Sequence, residues 1–306
     1  MSGKNVTDRL LADAAGIARA AQILESGGLV AVPTETVYGL AARADSAEAV
    51  ARIYAAKGRP DFNPLIVHVA GLEQAERLGT FSPAAKQLAA QHWPGPLTLV
   101  VPRRADAGLA DAVTAGLPTV ALRAPAHTVM RALLAAVDFP IAAPSANRSG
   151  FISPTCAVHV LASLDGRIDL VLDGGACAAG VESTIVAVRA DGSIEELRPG
   201  PLAIGESAAP GGSIEAPGQL ASHYAPGKPV RLNAEWAAPD EFLIGFGAIA
   251  GDCTLSVNGD VNEAAARLYA CLHEAALAVQ PRIAVAPVPE DSVGRAINDR
   301  LRRAAA

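Results

Sequence analysis

The sequence lacks several features that mark large classes of protein. Its 306 residues contain no apolar signal segment near the N-terminus, and nowhere is there the run of about 18 apolar residues that a membrane helix needs. No HExxH pattern occurs among its six histidines, and GxSxG is also absent, which excludes a zinc-protease helix and a hydrolase elbow. We therefore expect a cytoplasmic protein with no membrane contact.

Cysteine is scarce and dispersed. The four cysteines (Cys156, Cys177, Cys253 and Cys271) lie far apart, and none belongs to a CxxC pair. This spacing excludes a standard zinc site and argues against a disulfide scaffold. We expect all four to be free, buried thiols in a reducing compartment.

Positive charge does not dominate the chain either. Lys and Arg together number 25 against 31 Asp and Glu, which gives a formal net charge of -6. A protein whose main task is to grip nucleic acid carries a basic footprint. Any contact with tRNA is therefore predicted to be weak or indirect.

Helix and strand patterns divide the chain into three parts. Helices are predicted over residues 8–26, 46–57, 82–92, 126–137 and 155–164, and strands over 29–32, 65–69, 97–101, 119–122, 140–143, 170–172, 184–188 and 194–197. This order predicts an α/β domain with a mixed sheet over residues 1–205. Residues 206–228 are rich in Gly and Pro and are predicted to form a linker. Residues 229–306, with strands at 241–246 and 283–287 and helices at 262–279 and 294–303, are predicted to form a smaller α/β domain.

Two glycine patterns fail as nucleotide motifs. Gly175 and Gly180 have P-loop spacing, but Val181 and Glu182 follow where Lys and Ser or Thr are required. Glycines of residues 245–251 approach a dinucleotide fingerprint, yet a strand-like segment follows instead of the helix that the pyrophosphate needs.

Three polar clusters stand at the ends of predicted strands, where ligands gather in α/β folds. Residues 33–40 (PTETVYGL) offer threonine hydroxyls, although an ordinary threonine turn would look the same. Residues 57–65 place Lys57 and Arg59 on a Pro-braced loop, which suits phosphate oxygens better than simple compensation of a helix dipole. Residues 144–150 (PSANRSG), with Ser153 to Thr155 beyond, allow backbone N–H groups to approach an anion.

The ordered motifs resemble one family. PTETVYGL, KGRPxxNPL, PSANRSG with SPT, ESTIV at 182–186 and RPG at 198–200 follow one another as in the YrdC-type threonylcarbamoyl-AMP synthases. EAPGQLASHYAP at 215–226 is similar to the linker of the longer, two-domain members. The resemblance covers residues 15–230, with one departure at Ser222, where a basic residue is expected.

The resemblance implies a fold and a reaction. The fold implied is α/β, a YrdC-like twisted mixed sheet with flanking helices and a concave, positively charged active-site surface, plus a smaller C-terminal α/β domain. Family members combine L-threonine, bicarbonate and ATP and release pyrophosphate and threonylcarbamoyl-AMP, which a downstream threonylcarbamoyl transferase complex uses to modify tRNA. Mg²⁺ is expected to bind mainly through the phosphates of ATP.

The resemblance also implies site residues, matched by motif. Lys57 and Arg59 are the expected catalytic residues. The expected ATP-binding residues are Lys57, Arg59, Asn63, Thr119, Ser145, Ser153, Arg198 and Tyr224. The expected L-threonine-binding residues are Thr36, His68, Arg123, Ala143 and Ser183. Tyr224 is expected to reach over from a linker that closes as a lid, with a passive tether as the alternative.

Two other functions compete with this one. A double-stranded RNA or tRNA-binding module without catalysis would use a concave basic face, but the acidic charge balance argues against it. A carbamoyl-phosphate-dependent carbamoyltransferase is the other candidate, because related domains occur inside hydrogenase-maturation proteins. Those proteins carry CxxC pairs and an acylphosphatase domain, and this chain has neither.

Overall fold

The computed structural model describes residues 6–189, 191–207, 214–220 and 222–306. In the large N-terminal part, the strands are β1 (Asp8–Leu11), β2 (Val30–Val32), β3 (Gly39–Arg43), β4 (Ile66–His68), β5 (Leu97–Pro102), β6 (Thr119–Arg123), β7 (Ile141–Ala142), β8 (Leu170–Asp173), β9 (Thr184–Val188), β10 (Ile194–Arg198) and β11 (Glu206–Ser207). The helices there are α1 (Ala14–Glu25), α2 (Ala47–Lys57), α3 (Leu72–Leu78), α4 (Pro83–His92), α5 (Asp111–Thr114), α6 (Thr128–Ala136) and α7 (Ala157–Leu164).

These strands form one mixed sheet in the order β1-β8-β2-β3-β7-β4-β6-β5-β9-β10-β11. The sheet combines parallel pairs, such as β4 with β6, and antiparallel pairs, such as β5 with β6. The α/β fold with a mixed sheet, predicted from the sequence, is confirmed. In the parallel β4–β6 pair, His68 lies opposite Arg123. Two site residues predicted from separate motifs therefore share one face of the sheet.

Helices cover the sheet unevenly, and this leaves room for a site. Successive residues of β2 face opposite sides, so Ala31 joins the core under α2, α4 and α7, while Val30 joins the core under α1 and α6. On the second face, the half of the sheet formed by β4, β6, β5, β9 and β10 packs Ile66 and Ile185 against Ala216 of the linker instead of a helix. The cavity described below lies on this half.

Local sequence explains the helix that carries the second polar cluster. Ser46 caps α2 by accepting a hydrogen bond from the backbone N–H of Ala49 at 3.2 Å. Gly58 ends the helix at φ 59°, a left-handed conformation that glycine adopts most easily. The turn places Lys57 beside the segment that follows β7 and Arg59 beside the segment that precedes β4.

The predicted helix over residues 8–26 is partly wrong. Its first residues form β1, which pairs in parallel with β8 at the sheet edge. Asp13 then caps α1, accepting from the N–H of Gly16 at 2.8 Å. Leu10 and Leu11 fit the helical spacing but are exposed in the structure, because strand pairing and not burial fixes this segment.

The small C-terminal part contains β12 (Val230–Arg231), β13 (Glu241–Gly245), β14 (Cys253–Thr254), β15 (Arg282–Val285), α8 (Val261–Leu277) and α9 (Gly294–Ala304). Its strands form a parallel sheet in the order β12-β15-β13-β14. The core of this sheet also takes in Val37, Ile152 and Val181 of the large part and Tyr224 of the linker. The two parts therefore share an apolar interface. The boundaries at 205 and 228 remain predictions, and β11 carries the large sheet to Ser207.

The expectation of four free thiols is wrong. Cys253 of β14 and Cys271 of α8 form a disulfide, with their Cα atoms 6.0 Å apart, whereas Cys156 and Cys177 are free. The two bonded residues are brought together by the packing of α8 on the small sheet, which their spacing in sequence does not reveal. Among the described residues, no helix combines the length and apolar character needed to cross a bilayer.

Candidate active site

A cavity lies on the open half of the large sheet, and six segments and the linker form its walls. These are the β2–β3 loop, the segment from the end of α2 through β4, the end of β6, the segment after β7, the residues just before β9, and the end of β10. The lining residues are Thr34, Thr36, Val37, Gly39, Arg59, Ile66, His68, Arg123, Ala143, Pro144, Ser145, Glu182, Ser183, Arg198, Pro217, Gly218, His223 and Tyr224. Three of these are arginines, so the cavity is cationic although the chain as a whole is acidic.

Arg123 organises the first end of the cavity. Its Nη2 donates to Glu35 Oε1 at 2.6 Å, and its Nη1 donates to Thr36 Oγ1 at 2.9 Å. Thr36 Oγ1 also lies 2.8 Å from Thr34 Oγ1. Although burial raises the pKa of Glu35, Arg123 outweighs it and keeps the pKa below its ordinary value. This end presents a fixed guanidinium and two hydroxyl groups.

His68 contributes a neutral imidazole beside this arginine. It is buried, and its Nδ1 has no hydrogen-bond partner among the described residues. Burial and then the charge of Arg123 lower the pKa of His68 to about 3. A buried nitrogen without a partner is unusual in a folded protein and marks His68 as a candidate for a functional role.

Arg59 supplies a second cation, and its geometry differs from a mobile surface arginine. It is buried, with Nη2 donating to Pro64 O at 2.8 Å and Nε donating to Asn63 O at 3.1 Å. Burial lowers the pKa of Arg59 to about 10. The two carbonyls hold the guanidinium at the cavity wall.

Lys57 lies behind the wall. Its Nζ donates to the backbone oxygens of Ser145 and Asn147, and it does not line the cavity. Burial, and then the charge of Arg59, lowers the pKa of Lys57 well below its ordinary value. The ammonium therefore ties the end of α2 to the PSANRSG loop, which in turn places Ser145 in the wall.

Arg198 forms the third cationic wall. Its Nη2 donates to both the backbone oxygen and the hydroxyl of Ser183, at 2.9 and 3.1 Å, and its Nη1 donates to Pro217 O of the linker at 3.3 Å. The Ser183 hydroxyl lies 2.8 Å from Thr98 Oγ1. The ESTIV and RPG motifs thus meet across β9 and β10.

The linker closes the cavity from the outside. Gly218 has φ 87°, and a Cβ there would lie 2.7 Å from Arg198 Cδ, so only glycine fits. Tyr224 also has positive φ, at 64°, which is strained for a residue with a side chain. Its ring is buried, and its hydroxyl has no hydrogen-bond partner among the described residues. A ligand in the cavity would find this hydroxyl free.

The structure brings most of the predicted site residues together. Those that line the cavity are Thr36, Arg59, His68, Arg123, Ala143, Ser145, Ser183, Arg198 and Tyr224. Four others lie outside the lining: Lys57 and Asn63 adjoin Arg59 and its loop, Ser153 adjoins Glu182, and Thr119 stands at the end of β6 opposite to Arg123. The assignment of ligands to all of these residues remains a prediction.

Sequence reasoning missed Glu182, Glu35 and His223. Glu182 belongs to the ESTIV motif and breaks the P-loop pattern, but neither feature alone predicts that its carboxylate lines the cavity. Burial raises the pKa of Glu182, but Arg300 and Arg198 outweigh it and bring the pKa to about 2. Its position as the first residue of ESTIV was the available signal.

The arrangement suits a small, polar, anionic ligand. Three fixed guanidiniums can hold carboxylate or phosphate oxygens, while Val37, Ile66 and Ala143 offer apolar contact. Ser183 is hydrogen-bonded to Thr98 and Arg198, and no histidine donates to or accepts from its hydroxyl in the described part of the chain. The site is therefore better equipped to position reactants than to attack them. The fold and the site define a two-part α/β protein with a cationic cavity on its larger sheet.

Comparisons with known proteins identify the family. A family described as "Telomere recombination" matches residues 22–200, and the "Threonylcarbamoyl-AMP synthase, C-terminal domain" matches residues 192–306. The threonylcarbamoyl-AMP synthase of Bacillus subtilis is 46% identical over 242 residues, which cover 74% of this chain and 69% of that protein. The threonylcarbamoyl-AMP synthase of Pyrococcus abyssi is 38% identical over an alignment of 319 positions, including gaps, and this alignment covers 93% of this chain and 92% of that protein. The chain belongs to the threonylcarbamoyl-AMP synthase family, in its long two-domain form.

Solved structures agree. The crystal structure of P. abyssi Sua5 complexed with L-threonine superposes with a TM-score of 0.88 at 36% identity, covering 98% of this chain and 97% of that chain. Full-length HypF in its phosphate- and nucleotide-bound form has a TM-score of 0.54 at 22% identity over 60% of this chain. The second likeness concerns the fold alone.

Proposed function

We propose that the protein is an L-threonylcarbamoyladenylate synthase, a nucleotidyltransferase that converts L-threonine, bicarbonate and ATP into threonylcarbamoyl-AMP and pyrophosphate for tRNA modification. The observation that carries the proposal is the cavity itself, in which Arg59, Arg123 and Arg198 converge on one small space. A relative aligned over 93% of the chain is named threonylcarbamoyl-AMP synthase, and one solved relative is complexed with L-threonine.

L-Threonine is assigned to the Arg123 end. The guanidinium of Arg123 is held by Glu35 and Thr36, so it can receive a carboxylate without moving. Threonine is much smaller than ATP and has a methyl group, and Ala143 lines the same cavity as Arg123. Neutral His68 and the hydroxyls of Thr36 and Ser183 can bond its polar groups.

ATP is assigned to the Arg59 and Arg198 end, with Ser145, Ser153 and Tyr224. Arg59 and Arg198 are held by carbonyls and not by carboxylates, so both keep their charge for phosphate oxygens. Asn63 supports Arg59 through its carbonyl, and Lys57 supports the Ser145 loop. Thr119 belongs to this assignment by motif alone.

The chemistry needs little more than position and charge. The threonine amine and bicarbonate give a carbamate and water, and a carbamate oxygen then attacks the α-phosphorus as pyrophosphate leaves. The substrate supplies the nucleophile, so no Ser-His or Cys-His pair is needed. Guanidiniums fixed before binding stabilise the charge that develops on the phosphate oxygens without the cost of reorganising.

Mg²⁺ fits this site through the ATP phosphates. Among the described residues, Glu182 lines the cavity and Glu35 lies next to it through Arg123, and each carboxylate is already paired, with Arg300 and Arg123 respectively. Mg²⁺ that accompanies ATP would neutralise phosphate charge, and protein carboxylates would add little to its coordination.

The linker is proposed to act as a lid. Pro217, Gly218, His223 and Tyr224 already roof the cavity, and Pro217 O accepts from Arg198. Such a roof would keep water from a labile carbamoyl–phosphate anhydride. In the cell, the proposal places the enzyme in the cytoplasm, where a threonylcarbamoyl transferase complex would take the product and contact with tRNA would be weak or indirect.

Detection of the product tests the proposal against its two competitors. Mass spectrometry should find threonylcarbamoyl-AMP when the protein is incubated with ATP, bicarbonate and L-threonine. Carbamoyl phosphate in place of bicarbonate should not support the same yield, and a gel shift with tRNA should show no tight complex. A tight tRNA complex without product would favour the RNA-binding module, and dependence on carbamoyl phosphate would favour the carbamoyltransferase.

A further inference from the structure

Glu182 joins the cavity to the small domain. Its Oε1 accepts a hydrogen bond from Ser153 Oγ of the large domain at 2.6 Å. Its Oε2 accepts from Tyr269 OH of α8 at 2.8 Å and from Arg300 Nε of α9 at 2.9 Å. The carboxylate lines the cavity, and Arg300 behind it is fully buried. A residue of the small domain therefore pairs with a charge on the cavity wall.

The charges around the cavity show what this pairing achieves. Glu35 is matched by Arg123, and Glu182 is matched by Arg300. Arg300 also pairs with Asp299 at 2.7 Å, and Asp299 in turn pairs with Arg303. Within the described ranges, Arg59 and Arg198 have no carboxylate partner, so they remain as the surplus positive charge. Without Arg300, the charge of Glu182 would be offset mainly by Arg198, which would leave less positive charge on the cavity wall for a ligand. An anionic ligand would then meet a weaker net attraction, because the Glu182 carboxylate repels it.

The same helix holds the linker. The Arg300 guanidinium lies 5.4 Å from the ring centre of Tyr224. Arg303 donates to the carbonyl of Leu220 and accepts, at its own carbonyl, from the N–H of His223 at 3.1 Å. A third arginine, Arg295, pairs with Glu196 of β10 at 3.0 Å but does not touch the cavity lining. In helix α9, Arg300 is therefore the candidate for a functional role, because it contacts Glu182 of the cavity wall. Arg295 can serve as a control, because its ion pair lies outside the cavity lining.

We propose that Arg300 is a positioning residue of the ATP end of the site: it neutralises Glu182 and keeps that carboxylate on Ser153, so the small domain helps to set the affinity for ATP. This inference rests on the proposed function. An ordinary structural ion pair is the alternative, and it would alter stability without favouring one substrate. The two are separated by comparing the KM for ATP with the KM for threonine.

The test uses the full chain and steady-state pyrophosphate release. Arg300→Met should raise the KM for ATP about tenfold, as loss of a buried charge partner does, and leave the KM for threonine within about threefold. Adding Glu182→Gln to Arg300→Met should bring the KM for ATP back to within about threefold of wild type, because the repelling charge is gone while a hydrogen-bond acceptor for Ser153 remains. Arg295→Met is the matched control, and both KM values should stay within about twofold.

Two variants keep the test valid if Arg300→Met fails to fold: the double variant and Tyr269→Phe. The double variant buries no unpaired charge, so it should fold even where Arg300→Met does not. Tyr269→Phe removes one hydrogen bond from Glu182 without burying a charge, and it should raise the KM for ATP about threefold with the KM for threonine unchanged.

Several results would overturn the inference. These are an unchanged KM for ATP in folded Arg300→Met or in Tyr269→Phe, equal rises for both substrates, a double variant as weak as the single one, or an equal effect of Arg295→Met. Wild-type protein that releases no pyrophosphate would instead remove the proposed function, before any variant is compared.

Discussion

Arg198 holds Ser183 at two points, through the backbone oxygen at 2.9 Å and through the hydroxyl at 3.1 Å. One residue is assigned to ATP and the other to threonine, so this contact lies where the two substrates would meet. Arg198→Lys keeps the charge but cannot reach both oxygens with a planar fork. We expect kcat/KM to fall by a factor that corresponds to about 1.5 to 3 kcal/mol of transition-state stabilisation, the range for hydrogen bonds to charged groups. Both KM values should rise.

Steady-state kinetics with each substrate varied in turn checks this prediction. Arg189→Lys is a suitable control, because Arg189 pairs with Glu195 and Glu215 at the surface and does not line the cavity. Wild-type kinetics in Arg198→Lys would show that the contact with Ser183 has no role in the reaction.

Arg59 is expected to contribute strongly to the grip on phosphate. Arg59→Met should lower kcat/KM for ATP by a factor that corresponds to about 2 to 5 kcal/mol of transition-state stabilisation, the cost of losing a desolvated charge partner. A mobile loop arginine would leave the melting temperature unchanged on substitution, but Arg59 is buried and bonds the carbonyls of Asn63 and Pro64. A loss of about 1 to 3 kcal/mol in the free energy of unfolding should therefore accompany the kinetic effect. Full turnover in folded Arg59→Met, measured beside Arg52→Met at the distant α2 surface, would refute the role.

Buried neutral histidine predicts how stability depends on pH. Burial brings the pKa of His68 to about 3 from an ordinary value of 6.5, so the unfolded chain takes up a proton that the native state refuses. The free energy of unfolding should then fall with decreasing pH between these values, by at most about 1.4 kcal/mol per pH unit for this residue. His68→Gln should show a shallower slope in urea unfolding between about pH 6 and pH 4. An unchanged slope would mean that His68 is protonated in the native state.

Tyr224 provides a test of the lid. Tyr224→Phe keeps the ring against Tyr269 and Arg300 but removes the unpartnered hydroxyl. Turnover should fall about fivefold, the worth of one hydrogen bond, and more of the adenylate should hydrolyse free in solution. Cleavage within 206–228 by a broad-specificity protease should also slow when ATP and threonine are both present. Identical cleavage with and without ligands, together with a silent Tyr224→Phe, would leave the linker as a passive tether.

The sequence predicted those parts of the fold that local pattern controls. The sequence predicted α2 from its N-cap Ser46 and its C-terminal Gly58, and it predicted the neighbouring strands from their apolar residues. Most of the residues that the ordered motifs indicated as site residues line one cavity. The sequence did not predict strand β1, because Leu10 and Leu11 fit a helical spacing. Pairing with β8, which is distant along the chain, determines the structure of this segment. Glu182 escaped for the same reason, since its partners Tyr269 and Arg300 stand 87 and 118 residues away along the chain. Contacts of that range leave no trace in local spacing.

Pyrophosphate release measured with one component omitted at a time tests the central claim most directly. Release from ATP should require both L-threonine and bicarbonate. L-Serine should support pyrophosphate release less well, because it lacks the methyl group that Ala143 and the apolar wall can contact. The loss in kcat/KM should correspond to about 1 to 3 kcal/mol at most in transition-state binding. Equal release with threonine or bicarbonate left out would contradict the account.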